Sequence, residues 1–246
     1  MPKVVALHGF TGSGKDFEPL RECLDPRFEV TAPDFPGHGD LTNQRDPSAY
    51  SLAEHLNTIS DATDAANEPI TLLGYSMGGR LALHWALAHP ERMRRLILIG
   101  ASPGLRTHDE REERIRGDQA LAQFIRVEGL NKFLKYWNTK TFFKPLLALP
   151  PDRLDPILIR RQKNSPEALA LSLEHVGTGI LPSLWNRLTE LKCRTDLVVG
   201  QHDGKFIEIA HAMAERMPKS RISIIEDAGH AVHLEKPQDL ATLIEG

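Results

Sequence analysis

The segment Gly74-Tyr75-Ser76-Met77-Gly78-Gly79 constrains this chain more than any other stretch of its sequence. The apolar run Ile70-Thr71-Leu72-Leu73 leads into it, and the helix-forming stretch Arg80-Leu81-Ala82-Leu83-His84-Trp85-Ala86-Leu87-Ala88 leads out. The order is strand, tight turn with serine at the apex, helix. A Gly-x-Ser-x-Gly turn in this setting forces its serine into a strained conformation that lifts the hydroxyl above a sheet, and only glycines fit so close beside it. Serine alone is a weak nucleophile or base. It becomes reactive beside a histidine that takes its proton, with an acid holding that histidine, so the rest of the chain must supply both.

The surrounding pattern predicts an α/β fold with a mostly parallel, doubly wound sheet. Short aliphatic or β-branched runs bounded by Gly, Pro and Asp recur at residues 3–7, 28–32, 70–73, 96–99, 197–199 and 221–225, each reading as a buried parallel strand. Helical patterns at about 16–24, 51–66, 77–88, 206–216 and 237–244 alternate with them, as right-handed crossovers require. The alternation breaks between Ser102 and about Leu188, where a charged, helix-rich stretch carries Pro145, Pro150, Pro151, Pro156, Pro166 and Pro182. This predicts several short helices joined by turns. Because it lies between two core strands, residues 103–188 are expected to form an inserted helical cap on a core made of residues 1–102 and 189–246. A chain of 246 residues suffices for that arrangement.

In such folds the acid follows a late strand and the histidine follows the last one. Asp203 comes just after Leu197-Val198-Val199-Gly200-Gln201-His202, and His230 lies in Asp227-Ala228-Gly229-His230-Ala231-Val232-His233. Ser76, Asp203 and His230 are therefore the candidate catalytic residues. His233 is a rival base, set apart only by the turn glycine that precedes His230. Asp196 and Asp227 are rival acids; the first should enter its strand from the wrong end, and the second sits too close to His230 along the loop to orient it. Charge developing on a substrate oxygen needs backbone N–H donors. Met77, just after the serine, and Phe10, in the loop His8-Gly9-Phe10-Thr11-Gly12, are placed to give them. The same loop mimics a phosphate-binding pattern, Gly9-Phe10-Thr11-Gly12-Ser13-Gly14-Lys15, but its last position is Asp16. A carboxylate there would face phosphates with the wrong charge.

Composition narrows the function classes. Thirty basic and 33 acidic residues leave a formal charge of −3, so the molecule as a whole has no nucleic-acid or membrane-surface signature. Two distant cysteines, Cys23 and Cys193, fit free thiols in a reducing compartment, and no apolar run has the length of a spanning helix. The expectation is a cytoplasmic protein without membrane insertion. A monomer is favoured.

Leu7-His8-Gly9-Phe10, Asp34-Phe35-Pro36-Gly37-His38-Gly39, the Ser76 turn and Ala228-Gly229-His230 resemble the α/β-hydrolase superfamily across nearly the whole chain. Less generic stretches narrow the resemblance: Gly100 to Leu105, Glu113 to Asp118, Tyr136-Trp137, Arg160-Arg161-Gln162, Gly177 to Gly179 and Ser183 to Trp185. These are similar to the 2-succinyl-6-hydroxy-2,4-cyclohexadiene-1-carboxylate synthases of menaquinone (vitamin K2) biosynthesis. The resemblance implies a lyase on a hydrolase scaffold that eliminates pyruvate from 2-succinyl-5-enolpyruvyl-6-hydroxy-3-cyclohexene-1-carboxylate, with a Ser76, His230, Asp203 triad and no metal or organic cofactor. It further implies that Tyr75, Arg80, Arg114, Arg161, Trp137 and Phe143 bind a small substrate bearing several carboxylates. Leu181 departs from the glutamine common in that family. Read from the residues alone, Arg80 lies one helical turn beyond Ser76, within reach of a bound carboxylate, and is as readily a solvated or salt-bridged helical arginine, whereas Arg114 and Arg161, in a cap rich in both charge signs, read as solvated or paired arginines. A serine esterase acting on a small carboxylic ester is the alternative.

Overall fold

Short aliphatic runs become strands of a single sheet because both of their faces are covered. The structure is a computed structural model that describes residues 1–64 and 68–246. Its strands are β1 (Lys3–Leu7), β2 (Glu29–Thr31), β3 (Ile70–Tyr75), β4 (Met93–Ile99), β5 (Arg194–Gly200) and β6 (Ser220–Ile225). They pair in the order β2-β1-β3-β4-β5-β6, every pairing parallel. The helices, in chain order, are α1 (Glu18–Cys23), α2 (Leu52–Asp64), α3 (Met77–Ala88), α4 (His108–Asn138), α5 (Lys144–Leu147), α6 (Pro151–Arg161), α7 (Pro166–Val176), α8 (Gly204–Ala214), α9 (Val232–Glu235) and α10 (Pro237–Glu245). Residues 65 and 66, in the stretch predicted to end the second helix, lie outside the described residues.

Alternate residues of each strand feed two apolar cores. Val5, Leu7, Leu72, Leu96 and Leu98 pack with Leu81 and Trp85 of α3 and Met213 of α8. Val4, Ala6, Leu73, Ile97 and Val198 pack with Leu20, Leu240 and Ile244 from α1 and α10. β4 and β5 begin earlier than their apolar runs because polar residues inside them pair with each other. Asp196 is fully buried and accepts from Arg95 at 2.6 Å and Arg221 at 3.2 Å, while Arg95 also donates to the Leu243 and Ile244 carbonyls. A charged pair can sit in a sheet only when satisfied in this way.

The chain visits β2 on one side of β1 and then continues on the other side at β3, so the loops after β1 and β3 diverge. Such a crevice at the carboxyl ends of parallel strands is where open α/β sheets bind ligands. The loop carrying Phe10 and the turn carrying Ser76 leave from these two strand ends.

The segment between β4 and β5 contains helices and no strand. One feature departs from the prediction: its first helix, α4, runs for 31 residues instead of being short. Apart from Pro103, which precedes α4, the prolines of the segment all lie beyond Asn138, and Thr107 and Glu110 close a reciprocal capping box at the start. A break at Gly129, where φ is +79°, splits the helix and redirects its second half. α4 is tied to α7 by Arg126, which bridges Glu167 at 2.8 Å and Glu174 at 2.5 Å. Among the described residues no helix is long and apolar enough to cross a membrane.

Candidate active site

Ser76 adopts φ 51° and ψ −107°, a conformation that residues other than glycine rarely take. Two backbone bonds hold it there: its N–H donates to Ile99 at 2.9 Å, and its carbonyl accepts from Arg80 at 3.1 Å. The turn closes because Gly78 has no side chain; a Cβ there would stand 2.3 Å from the Leu7 carbonyl oxygen. The strain thus comes from seating the start of α3 against β1, and it sets the serine hydroxyl at the sheet's edge.

The three residues separated along the sequence come together here. His230 Nε2 lies 3.1 Å from Ser76 Oγ, and His230 Nδ1 lies 2.6 Å from Asp203 Oδ2. An ionised carboxylate only accepts, so Nδ1 carries the proton and donates to Asp203, leaving Nε2 to accept from the serine hydroxyl. Asp203 and His230 are almost fully buried, which strengthens this bond relative to one in water. The rivals stand elsewhere. His233 is completely buried between the rings of Phe17 and Tyr75, with neither nitrogen hydrogen-bonded, and burial holds it neutral with a pKa of about 3. Asp196 is consumed by its arginines, and Asp227 is exposed.

Several residues that the sequence did not single out position this chain of groups. Glu235 is buried and accepts the N–H groups of Gly229 and of Ala231, the latter at 3.0 Å, on either side of His230. The His230 N–H donates to the Phe142 carbonyl at 3.2 Å, so the segment between β4 and β5 also fixes His230. Rings of Tyr75, Phe142 and Phe206 surround the imidazole with centroids 4.6 to 5.2 Å away. His8 has its Nδ1 2.9 Å from the Gly9 carbonyl, and its Nε2 accepts from Phe35 N–H at 3.0 Å. It thereby pins the loop that carries Phe10. Only the His8-Gly9 pair could have hinted at this; nothing local marks Glu235 or Phe142.

Gly100, after β4, packs against the imidazole. Its φ is +51°, and an added Cβ would lie 2.7 Å from both His230 Cε1 and Nδ1. Gly100→Ala is therefore expected to push the ring off its 3.1 Å approach to Ser76 and to lower kcat about a hundredfold, the usual cost of an ångström's misplacement. Steady-state kinetics beside a urea melt checks this, because the positive φ alone should cost only about 1–2 kcal/mol of stability.

The amides of Phe10 and Met77 have no hydrogen-bond acceptor among the described residues, which leaves both free for a bound oxygen. The arginines fall into two groups. Arg80 and Arg114 both lie near Asp118; Arg114 Nε donates to its carboxylate at 2.8 Å, and Arg80 keeps a buried, unpartnered Nε. Burial, then the neighbouring Arg114 charge, lowers the Arg80 pKa to about 10, so it remains a cation at neutral pH. Arg161 is 4 % exposed, has unpartnered Nε and Nη1, and stands 5.5 Å from the centre of the Phe143 ring. Phe143 in turn lies 6.2 Å from His230 and 6.1 Å from Trp137, whose indole N–H is buried and unpartnered. Leu181 is buried in the apolar core.

In the phosphate-loop mimic, Asp16 accepts from Ser13 N–H at 3.2 Å and pairs with Arg160 at 3.0 Å, while the Gly14 N–H donates to Asp34 at 2.7 Å. Carboxylates thus take the donors that a phosphate would need. No group of three or more His, Cys, Asp or Glu is placed to hold a metal among the described residues.

Residues 2–237 match the family described as the alpha/beta hydrolase fold. A Bacillus subtilis (strain 168) protein assigned provisionally as a 2-succinyl-6-hydroxy-2,4-cyclohexadiene-1-carboxylate synthase is 39 % identical over 236 residues, 96 % of this chain and 86 % of that protein. The solved structure of MenH from S. aureus superposes with a TM-score of 0.93 at 32 % identity, covering all of this chain and 92 % of the other. A thermophilic esterase from Thermogutta terrifontis superposes with a TM-score of 0.83 at 25 % identity, covering 100 % and 88 %. The strained serine, the parallel sheet order and the match over nearly the whole length agree: this chain belongs to the α/β-hydrolase family.

Proposed function

We propose that the protein is a carbon–oxygen lyase that eliminates pyruvate from 2-succinyl-5-enolpyruvyl-6-hydroxy-3-cyclohexene-1-carboxylate, giving 2-succinyl-6-hydroxy-2,4-cyclohexadiene-1-carboxylate. The observation that carries this reading over a simple esterase is Arg161. A buried guanidinium with two unpartnered nitrogens is costly unless a ligand brings the compensating negative charge. An ester of moderate polarity brings none, whereas this substrate carries three carboxylates. Arg80, with its own unpartnered Nε one turn beyond Ser76, makes the same demand. Kinship with the Bacillus subtilis protein assigned provisionally as such a synthase supports the assignment.

In this mechanism His230 Nε2 draws the proton from Ser76 Oγ, and the serine oxygen removes a proton from the substrate ring. The electron pair released moves into the ring to form the new double bond, and the carbon–oxygen bond to the enolpyruvyl group breaks. The departing enolate is protonated to pyruvate, with His230 returning the proton. Asp203 holds His230 in the productive tautomer and stabilises its cationic form. The Phe10 and Met77 amides stabilise charge developing on a substrate oxygen, and Arg80, Arg114 and Arg161, with Tyr75, Trp137 and Phe143, fix the acid groups and the ring above the serine.

Purified protein incubated with the precursor should release pyruvate stoichiometrically, measured by coupled reduction to lactate. Pyruvate appearing only at the uncatalysed rate, together with rapid cleavage of short acyl esters, would replace the lyase reading with the esterase one.

A further inference from the structure

A cavity of about 390 Å³ opens between the second half of α4 and the end of α6, and none of Ser76, Asp203 and His230 lines it. Its polar wall consists of Asn131, Lys135, Asn138, Arg161 and Gln162, with Leu134 and Leu158 supplying apolar surface. Two cations and three amides face it, and among the described residues no acidic side chain does. Arg161 brings its unpartnered Nε and Nη1, and Asn138, whose buried Oδ1 has no hydrogen-bond partner to fix the amide, can turn its NH₂ donor toward a bound anion. Lys132, one turn before Lys135 on the same helix, is paired with Glu128, whereas Lys135 has no ion-pair partner among the described residues. Fixed cations and amides without anions of their own make a receptor for a carboxylate.

The position of Arg161 ties this cavity to the reacting centre. Its guanidinium stands against Phe143, and Phe143 faces His230, so a molecule reacting above Ser76 could extend one arm past these rings into the cavity. We propose that the cavity is a carboxylate subsite that receives the succinyl arm of the substrate, with Arg161 at its inner end and Lys135 and Asn138 selecting the terminal carboxylate. The proposal rests on the function proposed above, and it assigns to Lys135 and Asn138 a role in substrate choice that the reaction chemistry does not require.

The test compares the natural substrate with an analogue in which the succinyl carboxylate is a primary amide. Lys135→Glu should raise KM for the natural substrate roughly tenfold while kcat stays within twofold, because it reverses one charge at the arm and leaves the reacting centre alone. KM for the amide analogue should be unchanged. Asn138→Leu should raise KM for the natural substrate in the same way, and Lys132→Glu, on the same helix but outside the cavity, should leave both substrates unaffected. Succinate titrated calorimetrically into wild-type protein and Lys135→Glu supplies a readout independent of turnover, with binding expected to weaken in the variant. The subsite is overturned if Lys135→Glu leaves KM within twofold, if it affects the amide analogue equally, or if succinate binds both proteins alike. Absence of pyruvate release by wild-type protein would instead sink the lyase reading, and the succinate titration would then decide the anion site by itself.

Discussion

Replacing Asp203 by asparagine is expected to lower kcat by about 10³- to 10⁴-fold while leaving the protein folded. The reason is the single hydrogen bond of 2.6 Å between Asp203 Oδ2 and His230 Nδ1. A carboxylate forces the proton onto Nδ1 and leaves Nε2 with a lone pair directed at Ser76, 3.1 Å away. An amide can turn its NH₂ group toward Nδ1, which moves the ring proton to Nε2 and points an N–H at the serine. That tautomer cannot accept the serine proton, so the serine oxygen never becomes a base. Substrate affinity should barely change, because the proposed anion contacts lie on Arg80, Arg114 and Arg161. Stability should hold as well, since the substitution removes a nearly buried charge without removing volume. Rapid-quench or coupled measurement of pyruvate release, with KM and a urea melt alongside, checks each part. A loss of less than tenfold in kcat would mean that Asp203 does not set the tautomer.

What could be read from the sequence about this site was what local chemistry dictates. The Ser76 turn is legible because strand, glycines and helix are contiguous, and the strand-end placement of Asp203 and His230 follows from chain order in a parallel sheet. The same logic separates Asp203 from Asp196, which sits within β5 and is neutralised by Arg95 and Arg221. The supporting groups were not legible, because each acts across the fold. Gly100 matters only because β4 ends beside the His230 ring, Phe142 only because its carbonyl meets the His230 amide, and Glu235 only because α9 folds back under the loop. In the segment between β4 and β5 the prolines correctly mark short helices after Asn138, but they say nothing of the proline-free stretch before it, where α4 forms. The arginines show the limit most clearly. Nothing in the sequence distinguishes Arg114, already engaged by Asp118, from Arg161, buried with free nitrogens.

Buried histidines, equally silent in the sequence, should make the protein acid-sensitive. A histidine in an unfolded chain titrates near 6.5. Burial lowers His55 to about 4 and His233 to about 3, the latter aided by the Arg161 charge, and it shifts His8 and His38 in the same direction. Below about pH 6.5 the unfolded chain therefore takes up protons that the folded protein refuses. The stability from these groups is fully present above that pH and is lost as the pH falls toward their folded values. At pH 5, His55 and His233 together should remove roughly 4 kcal/mol, a large part of the 5–15 kcal/mol typical of a folded domain. Glu235 and Asp118 act in the opposite sense, because burial raises their pKa and the folded protein then binds protons more readily than the unfolded chain. Burial also lowers the partly buried His84 to about 4, so two such carboxyls oppose five histidines and the net slope is set by the histidines. Urea unfolding at pH 7.5 and 5.0 should show the drop, and His233→Phe, which keeps a ring between Phe17 and Tyr75, should remove about 2 kcal/mol of the pH dependence. An unfolding free energy equal at the two pH values, or an unaltered slope in His233→Phe, would show that these histidines are not held neutral by the fold.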